Sequence, residues 1–237
     1  MISKATNDLS NFDFTNGEVI LIDKDEGISS FGIVNKLRKI TGIKKIGHAG
    51  TLDPKATGLL ILCTGKKTKE ISKFQDLKKV YSGIISLGRT SRSMDSETEL
   101  SGSVKTDFVN LEILNETRNL FLGKIQQIPP MYSALKHKGK PLYKYARKGI
   151  KIERNLREVE IFDFTIEKYI EPDVYFRIIC SKGTYIRVIA DDFGKKLGTG
   201  GYLKKLRREA IGQFDVKSAF TINEFEKVFN SISVDGE

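Results

Sequence analysis

The chain has 237 residues, with 40 Lys+Arg against 30 Asp+Glu, giving a formal net charge of +10. At 39% hydrophobic and 30% charged residues it has a globular composition and enough length to bury a real core. The longest apolar run, Leu59–Cys63, excludes a membrane helix, which needs roughly 20 such residues. Two His and two Cys are too few for a zinc site or a disulfide scaffold.

In chain order, residues 1–16 are polar and Asn-rich and predict a frayed, flexible tail without an apolar signal segment. Glu18–Lys24 reads as a buried strand. A helix follows, capped by Ser29 or Ser30, with Phe31, Val34, Leu37 and Ile40 on one face and Gly42 at its end. Lys44–Gly58 is a loop, Leu59–Cys63 a strand, Lys66–Lys73 a short helix and Val80–Leu87 a strand. Leu111–Leu122 looks helical, Met131–Lys136 extended, and Pro141 starts a short helix turning Leu142, Tyr145 and Ala146 inward. Two runs alternate as strands: Val159, Ile161, Phe162 and Phe164, then Val174, Phe176, Ile178 and Cys180. Gly183-Thr184 begins a helix ending near Gly198, Tyr202–Phe214 is basic and extended, and Thr221–Phe229 is a capped helix. Strands and helices mix without strict βα alternation, so the expected class is α+β with a mainly antiparallel central sheet flanked by helices and loops.

Charge is unevenly distributed. Between Lys136 and Arg157 lie nine Lys/Arg and one acid, Glu153, whereas Met94–Glu116 is net acidic. A polarised surface of this kind suits a polyanionic partner. Two phosphate-loop look-alikes fail. GLLILCTGKK (58–67) has six residues between its glycines where a Walker loop has four, and GTGG (198–201) lacks dinucleotide spacing.

The loop GHAGTLDPKATG (47–58) is different. Pro54 holds Asp53 extended, and flanking glycines allow another chain to approach closely. A single carboxylate in a rigid, approachable loop is a candidate nucleophile or base; an ordinary Asp-Pro turn is the alternative.

The run DKDEGISSFGIVNKLRKITGIKKIGHAGTLDPKATGLLILCTGKKTK resembles the amino-terminal signature of the TruB family of tRNA pseudouridine synthases. Four further stretches match in order: KKVYSGIISLG, IQQIPPMYSALKHKGKPLYKYARKG, SKGTYIRVIADDFGKKLGTG and LKKLRREAIGQF. The resemblance spans about residues 17 to 225. It implies the pseudouridine synthase fold with an RNA-binding cleft, and a catalytic domain over 17–230. The implied reaction isomerises uridine at position 55 of the tRNA T-arm loop, without cofactor or metal. By the same resemblance Asp53 is the nucleophile and Arg187 keeps it ionised. Tyr81 stacks on the target base, Tyr185 and Leu206 line the pocket, and His48 contacts the extruded bases. Lys136, Lys138, Lys140, Lys144, Arg147 and Lys148 are the expected RNA-backbone contacts. A cytoplasmic monomer with tRNA as partner, no membrane association and no obligatory protein partner is expected.

The chain departs from the family pattern at TSRSMDSETEL, where Asp95 keeps a carboxylate but Ser91-Arg92-Ser93 replaces the usual Thr-Asp-Thr. The sequence after the catalytic domain is too short for the carboxy-terminal RNA-binding module of many relatives, and the expectation is that this module is lacking. A non-catalytic tRNA-binding or folding chaperone of the same fold is the alternative reading.

Overall fold

Alternating apolar residues and glycine stops set most of the element boundaries in this computed structural model, which describes residues 1–231. In chain order the elements are β1 (Val19–Lys24), α1 (Ser30–Thr41), β2 (Ile46–His48), β3 (Thr57–Thr64), a 3₁₀ turn (Gly65–Glu70) and α2 (Ile71–Asp76). There follow β4 (Lys79–Leu87), β5 (Thr90–Ser91), β6 (Leu100–Ser101), α3 (Leu111–Asn119) and β7 (Gly123–Gln127). The short hairpin β8 (Lys136–His137) and β9 (Lys140–Pro141) leads into α4 (Leu142–Ala146). The chain closes with β10 (Arg157–Ile170), β11 (Asp173–Cys180), α5 (Ile186–Lys196), β12 (Gly201–Ile211), β13 (Phe214–Asp215) and α6 (Ile222–Ser231). The pairs β1–β3, β2–β3, β7–β10, β10–β11 and β12–β13 are antiparallel, and β3–β12 is parallel. Among the described residues no helix is long and apolar enough to cross a membrane.

The chain divides into two compact units, Met1–Val80 with Arg207–Glu237, and Tyr81–Leu206. In the first, β3 is buried almost throughout and takes β1 along one edge, from Val19↔Cys63 to Lys24↔Gly58. Such a strand reads as a continuous apolar run because both faces are covered. One face carries Ile20, Ile22, Leu60 and Leu62 against Ile33, Val34 and Leu37 of α1 and Phe225 of α6; the other carries Leu21, Leu59 and Ile61 against Ile211 and Val216. Helix α1 is capped as its sequence predicts, with Gly32 N–H donating to Ser29 Oγ and Gly42 in the left-handed conformation. Helix α6 opens with a reciprocal capping box: Glu224 N–H donates to Thr221 Oγ1, and Thr221 N–H to the Glu224 carboxylate.

Three expectations for these elements change. Residues 1–16 do not fray. Ile2 and Leu9 are fully buried, Phe14 packs edge-on against Phe225 and Phe229, and Ile2 bridges to Ile20. These apolar side chains are inserted singly and leave no periodic trace in the sequence. Phe31 is exposed; the buried stripe of α1 runs through Ser30, Ile33, Val34 and Leu37 instead. The expected loop over 44–58 also contains β2, paired to the far end of β3 through Ile46↔Thr64 and His48↔Leu62.

In the second unit the strand order is β12-β4-β11-β10-β7. Strand β11 alternates as read, with Val174, Phe176, Ile178 and Cys180 inward. Strand β10 breaks its alternation. A register shift between Ile161 and Asp163 puts Ile161 and Phe164 inside and leaves Phe162 exposed. Phe164 sits at the centre of an aromatic cluster with Phe121, Phe176 and Phe193. Tyr145, read as an inward side chain, lies half-buried against the β8–β9 hairpin, its ring edge-on to His137 and its hydroxyl donating to the His137 carbonyl.

Candidate active site

Asp53 lies half-buried in the loop that returns the chain from β2 to β3, and that loop is pinned along its length by main-chain and side-chain clamps. At its start, Ala49 N–H donates to the Ile61 carbonyl of β3. The next carbonyl, Gly50 O, accepts from Arg208 Nη2 at 3.1 Å. Gly50 has φ +96°, a left-handed conformation that a side chain would strain. In the middle, buried Ser30 Oγ accepts from Leu52 N–H at 2.8 Å and donates back to Leu52 O at 3.0 Å. After Asp53, the Pro54 carbonyl accepts from Gly27 N–H at 2.8 Å and from Lys24 Nζ at 3.3 Å. Gly50, Leu52 and Pro54 around Asp53 are thus each held by a group from β12, α1 or β1, and the carboxylate is presented on a stiff bend.

The two cations in this cradle are unusual. Lys24 and Arg208 are both fully buried, and among the described residues neither forms an ion pair with a carboxylate. Their neighbour Arg207, by contrast, grips Asp23 with two nitrogens at 3.0 and 2.7 Å. Lys24 Nζ is satisfied by carbonyls, those of Ile28 (2.8 Å) and Asp25 (2.9 Å) besides Pro54. Burial pushes the Lys24 ammonium down to about 8, against the pull of the Asp53, Asp25 and Glu26 carboxylates and with a push from Arg208. A lysine easier to deprotonate folded than unfolded binds fewer protons in the native state between pH 8 and 10.5. Its contribution therefore makes stability rise with pH across that window. Urea titrations at stepped pH check this: the rise is present in the native sequence and absent in Lys24→Met.

His48, at the end of β2, is half-buried. Burial, with the Arg208 charge, lowers its pKa, opposed by a hydrogen bond with the Gly50 backbone. Its Nδ1 is buried without a partner among the described residues. Burial thus favours the neutral imidazole, a form suited to stacking and hydrogen bonding.

The remaining candidates lie in the second unit. Tyr81 is buried on β4. Arg187 is buried in the first turn of α5, and its Nη1 meets Asp95 Oδ2 at 3.3 Å. The other oxygen of Asp95 accepts from Ser93 Oγ at 2.6 Å and from Glu97 N–H at 2.9 Å. The divergent stretch around Asp95 is thereby tied down, and Ser93, one of its departing residues, holds the carboxylate that faces Arg187. Asp95 also bridges to Leu203, whose N–H donates to Met94 O. Tyr185 caps α5, and its backbone is clamped by the buried amide of Gln127, which accepts from Tyr185 N–H at 3.0 Å and donates to Tyr185 O at 3.3 Å. Leu206 is half-buried on β12.

Lys136, Lys138, Lys144, Arg147 and Lys148 are exposed on the β8–β9 hairpin and α4, and Lys140 is half-buried with its ammonium 5.3 Å over the Tyr145 ring. The Arg147 guanidinium lies over Tyr143. The residues themselves singled out Asp53 and the resemblance added Arg187, but neither marked Asp95, Lys24, Ser30, Gln127 or Arg208 as site residues. No local pattern marks these; Arg208 meets the loop across 158 positions of sequence.

A family model described as TruB family pseudouridylate synthase (N terminal domain) matches residues 38–186, and one described as tRNA pseudouridylate synthase B C-terminal domain matches residues 187–235. The chain belongs to the TruB family. A TruB relative from Flavobacterium johnsoniae, tRNA pseudouridine synthase B, is 47% identical over 222 residues, covering 91% of this chain and 97% of that protein. The protein of the same name from Chloroherpeton thalassium is 50% identical over 218 residues, covering 90% of each. Among solved structures, a chain in the crystal structure of a Cbf5-Nop10-Gar1 complex superposes with a TM-score of 0.74 at 27% identity over 94% of this chain. This chain spans 57% of that one's length. The α+β expectation and the pseudouridine synthase fold hold for this TruB member, with β3–β12 as a parallel pair within a mainly antiparallel set.

Proposed function

We propose that this chain is a tRNA pseudouridine synthase that isomerises uridine at position 55 in the T-arm loop, with Asp53 as the nucleophile. The observation that carries this reading is the cradle of Asp53. One carboxylate sits on a bend whose backbone is fixed by Ser30, Gly27 and two buried cations, so its position is set before any substrate arrives. Membership of the TruB family supplies the reaction.

The reaction breaks the N1–C1′ bond and joins C1′ to C5 of the same ring. The C5 proton leaves and N1 ends protonated, so atoms balance without a redox cofactor. A carboxylate serves because it is ionised at neutral pH, adds to the sugar or the base, and departs again. The target must first be unstacked, at a cost of a few kcal/mol. The Tyr81 ring offsets that cost by stacking, and its phenol accepts or donates a proton. Tyr185 and Leu206 supply pocket walls, and the neutral His48 ring occupies the position the base vacates. Arg187, oriented by Asp95, provides the positive charge that keeps a desolvated carboxylate ionised. The enzyme acts as a monomer in the cytoplasm, with tRNA as its partner.

Recognition rests on backbone and shape more than on base edges. Lys136, Lys138, Lys140, Lys144, Arg147 and Lys148 contact phosphates, so tRNA affinity falls steeply with salt. Each contact removed, for example by Lys138→Gln or Lys144→Gln, flattens the slope of log K against log salt by about 0.7–0.9. Filter-binding titrations across a salt series measure this. The function itself is tested by mapping pseudouridine in tRNA, and in an isolated T-arm hairpin, incubated with the purified protein. Unmodified uridine at position 55 in both would reject it.

A further inference from the structure

Strand β3 has a gap along its second edge. Ala49 N–H donates to Ile61 O from the loop side, and the backbone of Arg208 pairs with Gly58 from the β12 side. Between them, the Leu59 carbonyl accepts from the Arg208 side chain, Nε to O at 2.7 Å. The same guanidinium reaches on to Gly50 O, three residues before Asp53. Arg208 thus fills a missing rung of the ladder and ties the catalytic loop to the sheet with one planar group.

The fit is close. A Cβ on Gly58, at φ +104°, would lie 2.3 Å from the Arg208 carbonyl, and one on Gly50 would touch Arg208 Nη1 at 3.4 Å. Both glycines flanking the Asp53 loop are therefore shaped around this one arginine. It is fully buried and, among the described residues, is compensated by no carboxylate. Burying an unpaired cation is costly, and an apolar side chain would fill the core for less. Arg is retained where a rigid fork must hold two acceptors at fixed spacing.

We infer that Arg208 is a positioning residue for the isomerisation, acting through Gly50 O and Leu59 O to fix the Asp53 carboxylate against the target nucleotide. This rests on the reading of Asp53 as nucleophile. Lys cannot hold both carbonyls with a planar fork, so Arg208→Lys lets the loop shift while retaining charge and much of the volume.

The test compares Arg208→Lys, Arg208→Gln and Asp53→Asn, measuring the single-turnover rate of pseudouridine formation, the Kd for tRNA and the melting temperature. A displacement of about 1 Å costs about a hundredfold in rate. Arg208→Lys is expected to lose about that much at saturating tRNA, with Kd unchanged, when assayed well below its melting temperature. Arg208→Gln is expected to lose more. A folded Arg208→Lys with the native rate would overturn the inference, and so would failure of Arg208→Lys to fold, because the residue would then be purely structural. The nucleophile reading fails separately, if Asp53→Asn still turns over.

Discussion

Asp53→Asn is expected to abolish pseudouridine formation while leaving tRNA binding intact. The amide matches the carboxylate in size, and the clamps on its loop are to Gly50, Leu52 and Pro54 backbone groups that the substitution does not touch. The fold should therefore persist, and the melting temperature should stay close to native. Asn is neither anionic nor a leaving group, so the rate loss is that of an absent nucleophile, on the order of 10⁴-fold or more. A carboxylate facing a polyanion adds no attraction, so the Kd for tRNA should hold or tighten. Release of the C5 proton under single-turnover conditions reads the chemistry, and filter binding reads the affinity. Residual turnover near the native rate would remove Asp53 from its role.

The second large effect is expected at Asp95. Its carboxylate faces the buried Arg187 guanidinium at 3.3 Å and accepts from Ser93 and Glu97 on its other oxygen. Asp95→Ala removes the acid of a buried pair, which costs about 3–5 kcal/mol because the guanidinium keeps its desolvation penalty. For a chain of this size that corresponds to a fall in melting temperature of roughly 10 °C. Isomerisation should fall with it, since Arg187 loses a partner that orients it. Asp95→Ala combined with Arg187→Met should recover part of the stability, both members of the pair being removed together, but none of the activity. Thermal unfolding and single-turnover rates on the three variants separate the two roles. Equal stability in Asp95→Ala and the native chain would show that the pair contributes nothing to folding.

Much of the architecture is legible where local rules act alone. Ser29 and Gly42 bracket α1, Thr221 and Glu224 open α6, and the period-two pattern of β11 survives intact because nothing interrupts its pairing. The failures are cases where distant contacts override local spacing. Phe31 sits on the flank of its helix and Ser30 takes the inward place, because its hydroxyl is needed by Leu52. Phe162 turns outward because β10 gains a residue in a bulge, which no residue type announces. The site divides the same way. Asp53 stands out because an Asp-Pro step between glycines has no packing purpose. Lys24 and Arg208 sit among many other basic residues, and only their burial marks them.

The packing of the first sixteen residues also bears on what counts as the folding unit. The amino-terminal family model begins at residue 38, but β1 and most of α1 lie before it, and Ile2, Leu9 and Phe14 close the core beneath Phe225 and Phe229. Lys4 adds an ion pair to Glu224 and a main-chain bond to Ser218. A version cut to the matched segment would lose β1, Lys24 and most of α1, and one that dropped only residues 1–16 would uncover an oily surface on the very sheet that carries Lys24, so the opening residues act as a lid on the scaffold that steadies the reactive carboxylate.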